Sequence, residues 1–144
     1  MTSSVGWSLE YKELVERENL YYKKFSDIPF TGKTTGQEQG SFKSGKRDNS
    51  WIHYHKNGQL KSKGKYDNGK EEGLWIYFYE NGELRTKGYW KNENKEGSWT
   101  YYYDDGGYWR SENYKNGKKE GSWISYYENG QLSFKGNYKN GKRE

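Results

Sequence analysis

Two histidines are the residues of this sequence best suited to bind a metal ion. His53 and His55 stand two apart among aromatic and β-branched residues, so both side chains would point to the same face of a β-strand. Zinc takes three or four ligands, and no third candidate stands near them. The 144-residue chain has no cysteine, which removes thiolate ligands and thiol nucleophiles. We therefore predict no metal site and no cofactor.

The sequence also lacks the patterns needed for nucleotide binding and for acid–base catalysis. Gly32-Lys33-Thr34 resembles the end of a phosphate-binding loop, but Asp27 stands where that motif needs its first glycine. The carboxylates gather at predicted turns, whereas a catalytic acid needs a pocket that shifts its pKa. The sequence therefore predicts a protein that is not an enzyme.

Net charge and hydropathy limit the kinds of partner and the cellular location that the sequence predicts. The net charge of +5 is spread along the chain without a cluster of Lys and Arg, so we expect no specific nucleic-acid binding. No apolar run approaches the roughly 20 residues of a membrane span. Residues 1–7 show neither the charged nor the apolar part of a signal peptide, which favours a cytoplasmic location; a periplasmic or surface location would require that a leader had been removed.

A repeat of 24 residues organises the chain. Trp51, Trp75, Trp99 and Trp123 keep this spacing, and glycines, leucines and tyrosines follow it in step. We divide the chain into an N-terminal cap segment (1–27), a degenerate unit (28–50) and four repeat units (51–74, 75–98, 99–122 and 123–144). The cap is open to two interpretations: a hairpin turning at Glu18-Asn19, or a helix over residues 8–18.

Each unit combines two strand patterns with two turn patterns. Residues 75–79 are all aromatic or β-branched, Asn81-Gly82 is typical of a two-residue type I′ turn, and residues 84–90 form the returning strand. This turn places Trp75 opposite Gly88, where the missing side chain leaves room for the indole. The predicted fold is all-β, an elongated antiparallel meander of successive β-hairpin repeats of about 24 residues.

Alternation along the strands gives the sheet two faces. Face one carries the four repeat tryptophans and, with a two-residue turn, also Leu84 and Leu132. Face two mixes aromatic rings with cations, and we predict that it binds a partner. Its candidate contact residues are aromatic or cationic: Tyr54, Phe78, Arg85, Tyr102, Trp109 and Tyr126.

The unit 99–122 departs from its neighbours. Glu112 replaces the glycine found in the other units, and Trp109 stands where they have Lys61, Arg85 and Ser133. We interpret most of this as drift in a tolerant array.

The repeat resembles the MORN-repeat variant of bacterial proteins, which are often classed as antitoxin-like. The matching residues are Gly73-Leu74-Trp75-Ile76-Tyr77-Phe78-Tyr79-Glu80-Asn81-Gly82-Glu83-Leu84 and their counterparts 121–132. The resemblance covers residues 29–144. It implies an elongated run of β-hairpins that binds another protein, such as a toxin, and it implies no catalytic residues.

Three functions remain. The first is a scaffold for protein–protein binding, in the role of an antitoxin or immunity protein. The second is a cell-surface module that binds glycan or choline, because choline-binding repeats also combine Trp, Tyr-Tyr and Gly. The third is a membrane-surface binder acting through Lys and Arg. The last strand, residues 132–138, is expected to be an uncovered edge that favours self-association.

Overall fold

The computed structural model describes residues 8–144, which form 15 β-strands and one short 3-10 helix, Tyr11–Glu13. Thirteen strands make one sheet, in which paired strands run antiparallel; the exception is β1 (Ser8–Glu10), which pairs parallel with β4 (Gly32–Thr35). The predicted all-β meander is confirmed. Among residues 8–144, no helix has both the length and the apolarity to cross a bilayer.

The strands are β1 (Ser8–Glu10), β2 (Leu14–Arg17), β3 (Leu20–Lys23), β4 (Gly32–Thr35), β5 (Glu38–Lys43), β6 (Lys46–Tyr54), β7 (Leu60–Asp67), β8 (Lys70–Phe78), β9 (Leu84–Lys91), β10 (Asn94–Tyr102), β11 (Tyr108–Lys115), β12 (Lys118–Lys119), β13 (Gly121–Tyr126), β14 (Leu132–Lys139) and β15 (Lys142–Arg143).

The N-terminal segment folds as a hairpin. Strands β2 and β3 pair with each other outside the main sheet, and Glu18 and Asn19 make the turn with φ values of 50° and 62°. The alternative of a helix over residues 8–18 is wrong, since only one 3-10 turn forms there. Leu14 packs with Phe42 and Trp51 in a cluster of buried apolar side chains. The hairpin therefore covers the first tryptophan of face one.

The two turns of each unit differ from each other. At the tip before β9, only Gly82 has a positive φ (89°), and its N–H donates to Tyr79 O at 3.0 Å, as in a type I turn followed by a bulge. The two-residue type I′ turn predicted at Asn81-Gly82 is therefore wrong. The type I′ geometry occurs instead between units, for example at Asn68-Gly69, where φ is 50° and 85°. Consecutive units are thus joined by tight hairpins as well.

The junction between units contains a bulge in β8. Lys63 pairs with Ile76 and Lys65 pairs with Glu72, so Gly64 alone opposes the three residues 73–75. Gly73 takes the positive φ (70°) that this bulge requires. The bulge bends the strand and directs the Trp75 side chain back over the preceding strand.

Each buried indole lies on the glycine of the unit before it. Trp75 is the Cα partner of Gly88, as the sequence predicts, but its ring covers Gly64, where a Cβ atom would lie 2.2 Å from the indole. The interpretation that Gly88 accommodates Trp75 is therefore wrong, because the sheet continues between units and the bulge turns the ring toward the preceding strand. Gly88 accommodates Trp99 in the same way, at 2.1 Å. The indole N–H of Trp75 donates to Lys65 O at 3.1 Å and fixes the ring in this position.

Cations and aromatic rings complete the burial of the indoles in a single-layer sheet. Tyr66 packs edge-on against Trp75, with the ring centroids 4.9 Å apart. Lys95 Nζ lies 4.4 Å from the ring centroid of Trp99, a cation–π contact. Trp75 and Trp99 are only 1% and 3% exposed, although no second sheet within residues 8–144 covers them.

We expect Gly88→Ala to destabilise the fold through Trp99. A methyl group at this position would overlap the indole, and overpacking of this kind costs about 1–3 kcal/mol. The measurement is a double-mutant cycle by urea unfolding. The cost of Gly88→Ala should largely disappear in a Trp99→Leu background and persist in a Trp75→Leu background. If the cost disappeared in the Trp75→Leu background instead, Gly88 would accommodate Trp75 and not Trp99.

Candidate protein-binding surface

An apolar row crosses face two near the hairpin tips. Each hairpin contributes one pair of directly opposed side chains, and the pairs lie on strands that are adjacent in the sheet. Eight strands spaced about 4.8 Å apart give this row a length of roughly 34 Å. We call it the apolar row; its pairs are Tyr54–Leu60, Phe78–Leu84, Tyr102–Tyr108 and Tyr126–Leu132.

The apolar row becomes more exposed toward its C-terminal end. Tyr108 packs between Tyr102 and Tyr126: its ring centroid lies 5.9 Å from that of Tyr102 and 5.5 Å from that of Tyr126. The Tyr108 side chain is nevertheless 40% exposed. Leu132 is 55% exposed. The other six members are half-buried. Apolar side chains left open in a continuous row are typical of an interaction surface.

Lysines and small polar residues flank the apolar row on the same face. In the adjacent row, Ile76 pairs with Lys87 and Ile124 with Lys135. The next row includes the exposed pair Leu74–Tyr89. The apolar row and the row beside it contain Lys63, Lys87 and Lys135 but no Asp or Glu, whereas Lys65 in the third row pairs with Glu72 of the next unit. Face two therefore combines apolar surface with positive charge.

The structure brings four of the six predicted contact residues together. Tyr54, Phe78, Tyr102 and Tyr126 all belong to the apolar row. Their opposed neighbours at positions 60, 84, 108 and 132 were missed, although their recurrence every 24 residues is visible in the sequence. The placement of Leu84 and Leu132 on face one is wrong: with the three-residue tip, Leu84 pairs with Phe78 and Leu132 with Tyr126.

Arg85 and Trp109 lie on face one, so their placement on face two is wrong. The pairing moves from Tyr101–Arg110 to Tyr102–Tyr108, which leaves Trp109 as the extra residue of a bulge. Its ring packs against Tyr103 at 5.6 Å, and the Arg110 guanidinium lies 4.3 Å above it. Arg85 occupies the equivalent bulge position, with its guanidinium 5.8 Å from the Tyr77 ring.

The residues considered above for metal or nucleotide binding take part in packing and hydrogen bonding within the sheet. The His53 ring lies between Trp51 and Trp75, with centroids 5.8 and 6.0 Å away, and its Nδ1 is 2.6 Å from Glu38 Oε2. His55 Nε2 is 3.0 Å from Phe78 O, a role that Tyr79 takes in the next unit. Within residues 8–144, no three His, Cys, Asp or Glu side chains are grouped to hold a metal ion. Gly32-Lys33-Thr34 lies in β4 rather than in a loop.

Burial on face one changes the acid–base behaviour of its polar side chains. It raises the pKa of Tyr66 and of Tyr101 to about 12 each, because the phenolate would lose hydration. It lowers the pKa of Lys95 for the same reason. The neutral phenols are therefore part of the packed face.

Comparison with known families agrees with this architecture. The model of the MORN repeat variant family matches four tandem segments, residues 47–68, 71–92, 95–116 and 119–140, which together exceed half of the chain. The chain belongs to the MORN repeat variant family. MORN repeats are generally modules that bind proteins or membranes, and the family is a non-catalytic repeat module. No curated protein matches the chain.

We expect stability to fall between pH 10 and pH 12. The raised pKa values of Tyr66 and Tyr101 stabilise the fold while both phenols are neutral, and this contribution is lost as the pH rises from the unfolded value of 10 through the folded value of about 12. Lys95, with its lowered pKa, acts in the opposite direction. Urea midpoints measured across this range test the sign. Tyr66→Phe should flatten the decline, whereas Tyr108→Phe serves as the exposed control.

We expect Trp109→Ala to weaken the fold rather than a binding surface. The substitution removes ring contacts to Tyr101 and Tyr103 and the stacked Arg110 guanidinium. Because Trp109 is half-buried, the cost should lie below the 3–5 kcal/mol typical of a fully buried tryptophan. Thermal unfolding compared with Leu132→Ala, an exposed position of the apolar row, measures the difference. An unchanged melting temperature for Trp109→Ala would contradict its place in the packed face.

Proposed function

We propose that this chain is a non-catalytic scaffold that binds another protein through face two. The observation that carries the proposal is the apolar row, in which each of eight adjacent strands contributes one apolar or aromatic side chain. Face one is occupied by the buried indoles and their covering cations, so face two is the broad aromatic surface left open. Interfaces concentrate their energy in such aromatic residues.

The charge of face two indicates what the partner should look like. In the apolar row and the row beside it, Lys63, Lys87 and Lys135 have no acidic residue among them, so a partner surface with Asp or Glu around an apolar centre would be complementary. Complementary charge speeds association and selects the orientation, while the apolar row supplies most of the affinity. We therefore propose an acidic protein as the partner.

The specific role we propose is that of an antitoxin or immunity protein. Its support is the resemblance of the repeat to antitoxin-like MORN variants, together with a rigid surface that could cover a toxic partner. Co-expression with a candidate toxin from the same genomic neighbourhood tests this role. Growth should be restored by the natural chain, and the binding-surface variants below should restore it less. Undiminished rescue by those variants would contradict a role for face two.

We expect Tyr108→Lys and Leu132→Lys to weaken partner binding more than tenfold. Each replaces an exposed member of the apolar row, so the fold should survive, while a hot-spot loss of about 2 kcal/mol reduces affinity by more than one order of magnitude. Glu80→Lys, at an exposed hairpin tip, carries a larger change in charge and is the matched control. The partner is first isolated by crosslinking in native lysate, and its Kd is then measured with purified proteins.

Two results would overturn the proposal. Equal affinity of Tyr108→Lys and Glu80→Lys for the partner would place the interface elsewhere. Flotation with anionic liposomes that is lost on substituting Lys87 and Lys135, without any protein partner, would assign face two to a membrane surface instead.

A further inference from the structure

Two departures from the repeat meet on adjacent strands of face one. Glu112 in β11 replaces the glycine on which the next indole lies in the other units. Ser125 in β13 replaces the ring that the earlier units carry at this position, namely His53, Tyr77 and Tyr101. Because Arg110 pairs directly with Ser125, the two exchanges lie next to each other in space.

Both exchanged residues line a cavity on face one. Glu112 stands where the other units have a glycine beneath the indole, and Trp123 is half-buried where the other three repeat tryptophans are at most 3% exposed. The serine leaves the volume of a ring unfilled. The resulting cavity of about 270 Å³ is lined by charged, hydroxyl and aromatic groups: Arg110, Glu112, Trp123, Ser125, Phe134 and Tyr138, with Ser111 and Ile124 at its base.

Within the cavity, the carboxylate is already engaged. Glu112 is 3% exposed, and its Oε2 accepts a hydrogen bond from the Tyr114 hydroxyl at 2.9 Å. Its Oε1 lies 3.0 Å from Arg110 Nε, although that N–H is not directed at it and has no hydrogen-bond partner among residues 8–144. The guanidinium is held by stacking on Tyr101 and Trp109, at 4.4 and 4.3 Å. Arg110 is thus fixed in place while retaining donors for a ligand.

The charge around the cavity is positive. Lys119 Nζ lies 4.0 Å from the centroid of the Trp123 ring, and the Arg143 guanidinium lies 4.9 Å from that of Phe134. Neither cation has an acidic partner within ion-pair distance in residues 8–144. With Arg110, three cations surround one engaged carboxylate. A cationic ligand is disfavoured, since Lys119 already lies over one face of the Trp123 ring and Arg143 over one face of the Phe134 ring.

We propose that this cavity binds a small aromatic carboxylate. The planar ring would pack between the Trp123 and Phe134 side chains, and its carboxylate would accept hydrogen bonds from Arg110, whose planar fork matches a carboxylate. Ser125 supplies a further hydroxyl donor. The site is independent of the apolar row, because it opens on the opposite face of the sheet.

The binding experiment compares three probes of nearly equal size and different charge. Benzoate, benzamide and benzylamine are titrated into the full chain, and the indole N–H signal of Trp123 is followed by NMR while the other indoles report on non-specific effects. Benzoate should shift the Trp123 signal saturably, with at least tenfold weaker effects from benzamide and benzylamine. Equal binding of the three probes, or no saturable shift, would overturn the proposal.

Substitutions that copy the regular units test the location. Ser125→Tyr restores the ring of the neighbouring units and should abolish benzoate binding, while Ser98→Tyr adds the same ring at an exposed position on the opposite face of the sheet and should leave it intact. Arg110→Gln should weaken binding at least tenfold without filling the cavity, which keeps the test valid if Ser125→Tyr fails to fold. Undiminished benzoate binding by the folded variants would overturn the site. N-acetyl-phenylalanine, whose carboxylate copies a peptide C-terminus, separates the sources: tighter binding than benzoate indicates a protein end, weaker binding a free small molecule.

Discussion

The fold depends on one contact, an indole lying flat on a glycine of the neighbouring strand. The chain has few aliphatic side chains, so a sheet without a second layer must bury its tryptophans against its own backbone. Glycine exposes that backbone, the bulge at Gly73 directs Trp75 toward it, and the indole N–H completes the contact by donating to Lys65 O. Hairpin register, bulge position and the covering cations all serve this arrangement.

The sequence predicts the members of this contact but not their partners. The common spacing of Trp and Gly gives the strands, and the Cα register of Trp75 with Gly88 follows from counting. Which glycine lies beneath the ring depends on pairing between units. That pairing rests on the turn at Asn68-Gly69, whose dipeptide is as typical of a hairpin as the same dipeptide at the tip.

The errors at the candidate site have the same physical origin. One additional residue in the tip moves Trp109 into a bulge and reverses the face of the residue before it, so alternation counted from the turn fails for two residues and then recovers. Tyr54, Phe78, Tyr102 and Tyr126 precede their tips and are placed correctly. Glu112 and Ser125 each look like drift in the sequence, because only the folded sheet shows that they adjoin.

Since Trp51, Trp75 and Trp99 each rest on a glycine contributed by the preceding unit, the array can change length only by whole units. Excision of residues 75–98 would bring Trp99 onto Gly64 and leave a shorter array with the same contacts. Excision of residues 99–122 would bring Trp123 onto Gly88 and would erase the cavity together with Glu112. Gain or loss of whole units can therefore add or remove surfaces and cavities while the contacts that hold the fold are kept. An insertion of any other length within a strand separates an indole from its glycine.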